Sequence, residues 1–288
     1  MAIFKNHILV PIDFSEQSLI ALGQSVNFAR INKASITLIY VIEDPFHLPF
    51  VKSKEDKSLE KNIKKELEKM TADTYLKHGV KTDFVIAHGK VYEEIQKAAR
   101  KMKSTLIIMG TNGSVGIKRF IGSNALRVIR EAPCAVITIK GKKHRPGCKN
   151  ILLPLDVSKE TKEKISKAIE LAGLYGSHIY LMSVLTTDDE FIVNKLKRQM
   201  LSVENFIKEH NVSCSHEFVT GDDVAEEIVK YAKKIKADLV VLMTQKEMGW
   251  TDMFLSDESQ KVLNDTDVPV LSIRPDPRKN ITLSAFEY

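Results

Sequence analysis

The sequence repeats itself, and this repeat constrains the fold more than any other feature. Residues 8–15 read ILVPIDFS and residues 151–158 read ILLPLDVS, so a short apolar run that ends in a proline and an aspartate occurs twice. Each copy is followed by an amphipathic helical pattern. A chain of 288 residues is long enough for two domains of ordinary size. The chain is therefore predicted to contain two copies of one folding unit.

Strands and helices alternate within each half. Apolar runs at 105–109 and 239–243 follow helical patterns, and each half closes on a proline-led run, at 133–139 and at 269–273. Continuously apolar runs are typical of strands that are buried on both faces. Their alternation with helices predicts right-handed crossovers and a parallel sheet. The predicted fold class is α/β, with two tandem, open, doubly wound, parallel five-stranded sheets.

The segment at 141–147 separates the halves, because it is polar and carries a proline and two glycines. We predict domains at 1–141 and 148–288. The first half also contains a segment at 44–57, rich in prolines and aromatic residues, that is mostly missing from the second. It is either a surface excursion or a lid at the ligand-binding edge. The second half ends in a tail at 275–288, which either packs on the body or is loose.

Composition narrows the class of protein. The net charge is +6, and the lysines at 57–69 alternate with glutamates, as on a solvated helix face. No nucleic-acid partner is expected, since no aromatic-rich basic motif is present. No apolar run reaches the roughly 20 residues that span a bilayer, and residues 1–6 lack a signal-peptide pattern, so we expect a cytoplasmic protein without a membrane partner. The three cysteines form no metal-binding spacing, and no metal site is predicted.

A glycine-rich loop is the candidate site. Gly110, Thr111 and Gly113 follow an apolar strand, and Gly122 and Ser123 open the next helical pattern. Glycines at such a place let backbone N–H groups approach a phosphate, and the helix N-terminus adds unpaired donors. Ser123 can cap that helix and bind a phosphate oxygen. Lys118 and Arg119, inside the loop, can neutralise phosphate charge.

Asp13 is the second part of this candidate site. It follows the first strand and Gly110 follows the fourth, so both reach one crevice if those strands are neighbours where the strand order reverses. An aspartate there can accept hydrogen bonds from a ribose hydroxyl or from an adenine amino group. Two other interpretations stay open: the glycine pair is only a turn, and Asp13 only caps the first helix, a role that Ser15 can share.

The repeated start and the loop at 110–123 together resemble the universal stress proteins. The resemblance covers both halves and implies a tandem, two-domain member with an adenine nucleotide α-hydrolase-like, Rossmann-like fold. Members pair through the last strand, which implies that the halves pack about a pseudo-two-fold axis. The family motif of ATP-binding members is G-x2-G-x9-G-S/T. In this chain the second and third glycines are separated by residues 114–121, one fewer than in the motif.

The resemblance also implies how a nucleotide binds. The adenine falls on Pro11, Ile12, Asp13 and Val41, and the ribose falls near Gly110. The phosphates fall on Gly113, Gly122, Ser123 and Asn124, with ATP as the expected ligand and Mg²⁺ as a candidate companion. A homodimer is a further expectation, and the sequence identifies no protein partner.

The second half has lost the glycines of this loop. Met243 and Thr244 stand at the corresponding strand end, and Ser256 and Asp257 replace Gly122 and Ser123. Their side chains fill the space that a phosphate needs, and a carboxylate repels it. Asp156 is retained and is interpreted as a cap. We therefore predict one nucleotide site per chain, in the first half.

Three hypotheses for function follow. The first is a nucleotide-binding regulatory protein of the stress response, with at most slow, incidental ATP hydrolysis and no catalytic residues. The second is a ligand-free scaffold that acts through protein–protein contacts. The third is an enzyme such as an ATP-dependent transferase, which is disfavoured because the sequence has no nucleophile–base spacing and no P-loop. Fold similarity alone does not carry chemistry.

Overall fold

The computed structural model describes most of the chain, and the described residues are 7–43, 54–111, 121–140, 147–156, 161–246, 253–254 and 256–274. The chain divides into two compact units, Met1–His144 and Arg145–Tyr288. Gly113, Lys118, Arg119, the tail at 275–288 and most of the segment at 44–57 lie outside the described residues.

In the first unit strands and helices alternate as the sequence predicts. The elements are β1 (His7–Pro11), α1 (Glu16–Asn32), β2 (Ser35–Ile42), α2 (Lys54–His78), β3 (Thr82–His88), α3 (Val91–Lys101), β4 (Leu106–Gly110), α4 (Ser123–Glu131) and β5 (Ala135–Ile139).

The strands of this unit form a parallel sheet in the order β3-β2-β1-β4-β5. The chain runs outward from β1 to β3 and then returns to β4 on the other side of β1. The strand order therefore reverses between β1 and β4, which pair through Ile8 with Leu106 and Leu9 with Ile107. This confirms that Asp13 and Gly110 follow neighbouring strands at a topological switch point, where ligands bind in open α/β sheets.

The second unit follows the same plan, and its described residues also include two short strands after the fourth strand of its sheet. Its elements are β6 (Asn150–Pro154), α5 (Thr161–Tyr175), β7 (His178–Leu185), α6 (Glu190–Glu209), β8 (Ser213–Thr220), α7 (Val224–Lys234), β9 (Leu239–Met243), β10 (Gln245–Lys246), β11 (Met253–Phe254), α8 (Asp257–Asp265) and β12 (Val270–Ile273).

Its parallel sheet has the order β12-β9-β6-β7-β8, the counterpart of the first. The short strands β10 and β11 pair antiparallel and stand where the first half carries its glycine loop.

The central strands of both sheets are apolar and buried. Ile8, Leu9 and Val10 of β1 are fully buried, as are Ile151 and Leu152 of β6. Strands covered by helices on both faces need apolar residues at successive positions, and this is the pattern that the sequence shows. Among the described residues, none of the helices is long and apolar enough to cross a membrane.

Candidate functional site

A cavity of about 710 Å³ opens at the carboxyl ends of the strands of the first unit. Its walls are formed by the residues that follow β1, by the ends of β2 and β4, and by the first turns of α3 and α4. One face of α2 completes them. A cavity of this size is in the range of about 300–1,000 Å³ in which proteins hold small molecules.

The structure brings the sequence-predicted site residues together. All of those that lie among the described residues line this one cavity, namely Pro11, Ile12, Asp13, Val41, Gly110, Thr111, Gly122, Ser123 and Asn124. Gly113 lies outside the described residues. The sequence placed Asp13, Gly110, Gly122 and Ser123 in one crevice on the condition that β1 and β4 are neighbours, whereas Pro11, Ile12, Val41 and Asn124 came from the family resemblance.

Asp13 fixes the turn that joins β1 to α1. Its Oδ1 accepts a hydrogen bond from the Ser15 backbone N–H at 3.0 Å and from the Ser15 hydroxyl at 2.5 Å. Ser15 is the N-cap of α1, and its hydroxyl oxygen accepts from the Ser18 N–H at 3.3 Å. The cap is therefore Ser15 and not Asp13, whose exposed carboxylate supports the cap from outside the helix.

The residue after Asp13 adopts an unusual conformation. Phe14 has a φ of 61°, in the left-handed region that side chains other than glycine rarely adopt. Its ring packs on that of Tyr40 with centroids 5.2 Å apart. Burial, and to a smaller extent the charge of Asp13, raises the pKa of Tyr40 above its ordinary value. Tyr40 also lines the cavity.

The glycines at the cavity have different reasons to be glycine. A Cβ at Gly110 would come 3.1 Å from the backbone nitrogen of Ser18, so this glycine lets α1 pack closely against the end of β4. A Cβ at Gly122 would come 3.1 Å from the Thr111 carbonyl oxygen, which already accepts from the Gly122 N–H at 2.9 Å. Gly110 thus serves packing, and Gly122 holds the start of α4 against the end of β4.

Two helices begin at the cavity without a side-chain cap. The N-cap of α4 is Gly122, which corrects the expectation that Ser123 caps this helix, since Ser123 is its first residue. The N-cap of α3 is Lys90, which makes no capping hydrogen bond either. The first N–H groups of a helix have no partner inside the helix, and they carry the positive end of its dipole. Both helix ends therefore offer donors to an anion.

The end of β2 adds a backbone donor and acceptor. The Ile12 N–H donates to the Ile39 carbonyl at 2.9 Å, and the Ile42 carbonyl faces β3, where it accepts from the Gly89 N–H at 3.1 Å. Successive residues of a strand point their backbone groups to opposite neighbours. The Val41 N–H and C=O therefore face the side of β1, beyond Pro11, at which that strand ends.

An apolar wall from α2 is a part of the cavity that sequence reasoning missed. Leu59 and Ile63 line it from one face of the helix, with Leu59 52% exposed and Ile63 4% exposed. The lysines and glutamates of this helix indicated a solvated surface. The signal that could have revealed the wall is the spacing of Leu59, Ile63 and Leu67, which places apolar residues on one face four positions apart.

The comparisons with known proteins identify the fold family. The model of the universal stress protein family matches residues 5–140 and, a second time, residues 147–274. This chain belongs to the universal stress protein family. The two matches confirm the tandem arrangement that the repeat predicts.

Individual universal stress proteins match parts or all of the chain. Universal stress protein MJ0531 of Methanocaldococcus jannaschii is 37% identical over 145 residues, which are 47% of this chain and 82% of that protein. Universal stress protein A homolog 1 of Coxiella burnetii is 31% identical over 142 residues, 46% of this chain and 95% of its own length. The crystal structure of a universal stress protein from Archaeoglobus fulgidus covers 94% of this chain and 99% of its own, with 18% identity and a TM-score of 0.76, and shows the same fold.

In the second unit, the end of the fourth strand of the sheet and the start of the next helix have a different structure. Thr244 repeats the role of Thr111, because each donates its N–H to the last strand of its sheet, to Ile273 at 2.9 Å and to Ile139 at 3.0 Å. Beyond that threonine the units diverge. Helix α8 begins at Ser256, whose hydroxyl oxygen accepts from the Ser259 N–H at 3.1 Å, so this helix caps itself.

The described residues hold no group of three or more His, Cys, Asp or Glu side chains that could bind a metal ion. The charged side chains among the described lining residues of the cavity are the carboxylates of Asp13 and Glu43. Within the described part of the cavity wall, the positive potential therefore comes from the two helix ends.

Proposed function

We propose that the cavity of the first unit binds an adenine nucleotide, with ATP as the expected ligand, and that the chain acts as a nucleotide-binding regulatory protein of the stress response rather than as a dedicated catalyst. The observation that carries this proposal is that two helices begin at the same cavity without a side-chain cap. These are α4, which follows Gly122, and α3, which follows Lys90. Such ends bind phosphate through their free N–H groups.

The opposite end of the cavity suits a purine base. Val41 offers one N–H and one C=O beyond the end of β1, and adenine presents one ring acceptor next to one amino donor. Aliphatic side chains of Leu59 and Ile63 supply apolar surface for the base. This combination of an apolar slot with a few placed polar groups is typical of ligand sites.

Asp13 is the proposed partner of the ribose. One of its oxygens, Oδ1, is engaged by Ser15, and its carboxylate is exposed at the cavity. A carboxylate accepts hydrogen bonds from vicinal hydroxyls more strongly than a neutral group does. Gly110 and Thr111 at the end of β4 and Ser123 at the start of α4 line the same cavity as this carboxylate, so we place the ribose at Asp13 and the phosphates at the helix end.

The described lining residues do not make up a catalytic set. They include no histidine, whose ordinary pKa lies near neutrality, and no cysteine or lysine that could act as a nucleophile. This favours binding over turnover. The universal stress protein from Archaeoglobus fulgidus that was solved in complex with dAMP covers 43% of this chain at 18% identity with a TM-score of 0.37, and the proposal stands on the cavity rather than on that likeness.

The alternative function is a ligand-free scaffold. The observation in its favour is the loop between Gly113 and Gly122, which is one residue shorter than in the motif of ATP-binding members. A changed loop length moves the N–H groups that would surround the phosphates. The two functions differ in whether nucleotide changes the stability of the chain.

The test is to purify the full chain, identify any co-purified nucleotide, and titrate it with ATP and AMP by calorimetry. A ligand that binds only the folded state at 100 times its Kd stabilises that state by about 2.7 kcal/mol, so a rise in melting temperature should accompany the heat. If millimolar ATP and AMP give neither heat nor thermal shift, the nucleotide proposal is wrong and the scaffold function stands.

A further inference from the structure

A cation stands beside the cavity in a defined position. Arg127 lies on the exposed side of α4, with its guanidinium carbon 4.7 Å from the centre of the Tyr92 ring on α3. A guanidinium over a tyrosine face at this distance is a cation–π contact. The Tyr92 hydroxyl donates to Glu93 at 3.0 Å, which holds the ring from its other end. The ring therefore orients Arg127 without neutralising it.

A hydrogen bond between α3 and α4 locates this pair at the cavity end of the two helices. One turn further along, Gln96 of α3 donates to Glu131 of α4 at 2.9 Å, and within α3 Arg100 donates to the side-chain oxygen of Gln96 at 3.3 Å. Tyr92 and Arg127 thus form the first contact of the interface. Helical side chains lean toward the N-terminus of their helix, so Arg127 covers the turn that begins at Ser123.

The neighbours of the pair line the cavity. Val91 and Ile95 flank Tyr92 on α3, and Ser123 and Asn124 precede Arg127 on α4. Among the described residues no carboxylate forms an ion pair with the Arg127 guanidinium. Lys90, at the start of α3, is by contrast paired with Glu93 at 3.2 Å. The guanidinium group of Arg127 can therefore bind an anion at this end of the cavity through two N–H groups at once.

The second unit uses its corresponding cation differently. Counted from the N-caps Gly122 and Ser256, the counterpart of Arg127 is Lys261. Lys261 forms an ion pair with Asp223, the residue that caps α7 and accepts from the Glu226 N–H at 3.0 Å. In that unit the cation is tied to a protein carboxylate. In the first unit the corresponding cap is Lys90, and the cation rests on an aromatic ring instead.

We infer that Arg127, oriented by Tyr92, binds the outer phosphates of the nucleotide, so that the site selects adenosine di- and triphosphates over the monophosphate. This inference rests on the proposed function and names the part of the ligand that the site discriminates. A planar guanidinium binds two phosphate oxygens at once, which a helix end alone does not do. Each added phosphate increases the charge that Arg127 can neutralise, whereas the monophosphate ends at Ser123. Tyr92 is a positioning residue.

The test is calorimetric titration of the full chain with AMP, ADP and ATP in the absence of divalent cations. For Arg127→Gln we expect the affinity for ATP to fall about tenfold and that for AMP to change less than about twofold, because only the outer phosphates lose a charged hydrogen bond. Arg127→Lys keeps the charge and loses the planar guanidinium group, so its ATP affinity should lie between those of the unchanged chain and Arg127→Gln. Arg100→Gln is the matched control, since it removes the same charge from the same interface two turns away from the cavity.

Variants of Tyr92 test the orientation of Arg127 without changing its charge. Tyr92→Phe keeps the ring face and should preserve the ratio of ATP to AMP affinity, and Tyr92→Leu should lower it. An ATP to AMP ratio that is the same in Arg127→Gln, Arg100→Gln and the unchanged chain overturns the inference while leaving nucleotide binding intact. Absence of binding by AMP and ATP in the unchanged chain overturns the proposed function, and the inference with it. Circular dichroism of each variant checks that the fold is retained.

Discussion

The two halves differ at the helices that follow their third and fourth strands. In the first half α3 and α4 begin behind Lys90 and Gly122, and neither has a side-chain cap. In the second half α7 and α8 begin behind Asp223 and Ser256, and both of these side chains accept from the first turn. The same fold therefore leaves its helix N–H groups open in one half and satisfies them internally in the other. A binding site can be lost by gaining caps while the strands stay in place.

The ends of the first strands show the same contrast. Pro11 lines the open cavity of the first half. In the second half the carbonyl of Pro154 accepts a hydrogen bond from the buried Lys164 amine at 2.6 Å, and the Asp156 carbonyl accepts from Gln199 of α6 at 3.1 Å. Side chains of the second half thus occupy backbone groups at its own switch point. The sequence position of Lys164 corresponds to the fully buried Ala21, whose side chain has no group that could donate to the Pro11 carbonyl.

The largest expected effect on ATP affinity comes from giving α4 of the first half the N-terminal cap of α8 of the second half. Gly122→Ser combined with Ser123→Asp should lower ATP affinity about 100-fold, close to 2.7 kcal/mol, because a serine cap occupies the N–H groups and the aspartate repels phosphate. Titration calorimetry measures this. The reciprocal pair, Ser256→Gly with Asp257→Ser, should leave affinity unchanged and lower stability by about 1 kcal/mol. If the first pair binds ATP as the unchanged chain does, helix capping does not explain the difference between the halves.

Asp13 and Asp156 offer the next contrast. Asp13→Asn keeps an acceptor for the Ser15 N–H and removes the charge, so we expect adenosine, AMP and ATP each to bind about tenfold more weakly. Asp156→Asn, at the equivalent place, should change none of these affinities. An equal loss in both variants would show that the second half also binds nucleotide, and the prediction of one site would be wrong.

A smaller effect is expected at the apolar wall. Leu59→Ser removes a half-exposed aliphatic surface from the base end and should weaken adenosine, AMP and ATP alike by about threefold to fivefold. Leu201→Ser on α6 is a matched control, since Leu201 is 50% exposed and Leu59 is 52% exposed. A loss confined to ATP, or the same loss in the control, would place the base elsewhere.

The smallest effect concerns a feature that the halves share. His7 bonds the hydroxyls of Ser104 and Thr37 at 2.9 and 2.8 Å, and His178 bonds those of Ser213 and Ser215 at 2.6 and 2.8 Å. Burial lowers the pKa of both rings from the ordinary 6.5, and for His7 the charge of Asp83 opposes this.

The unfolded chain therefore takes up protons at a higher pH than the folded chain, and stability falls as the pH drops through 6.5 toward the lower pKa of the folded state. His7→Gln and His178→Gln should each reduce this acid sensitivity without changing ATP affinity. Urea unfolding at neutral and mildly acidic pH measures it. An acid sensitivity that neither substitution changes would show that other groups cause it.

Much of this architecture was predictable from sequence because it depends on local patterns. The repeated ILVPIDFS and ILLPLDVS segments and the continuous apolar runs predicted the strands, their parallel arrangement and the tandem units. That Asp13 and Gly110 lie at the ends of neighbouring strands was a condition of the predicted site, and the pairing of β1 with β4 meets it. The β10–β11 hairpin was not predicted, because its strands are two residues long and carry no periodic signal.

The roles of individual site residues depended on contacts that a sequence does not contain. Whether Asp13 or Ser15 caps α1 is decided by which oxygen reaches the Ser18 N–H, and this is Ser15. Gly110 was interpreted as a place where a ligand approaches the backbone, and the structure adds that its missing side chain makes room for the backbone of α1. The pairing of Arg127 with Tyr92 joins residues on two helices and has no signature along the chain.

The measurement that tests the difference between the halves most directly is the stoichiometry of ATP binding to the full chain by calorimetry, repeated with the Gly122→Ser and Ser123→Asp pair. We predict one ATP per chain, and its loss in that variant. Two ATP molecules per chain, or one that is unaffected by these substitutions and is lost with Asp156→Asn, would contradict the assignment of the site to the first half.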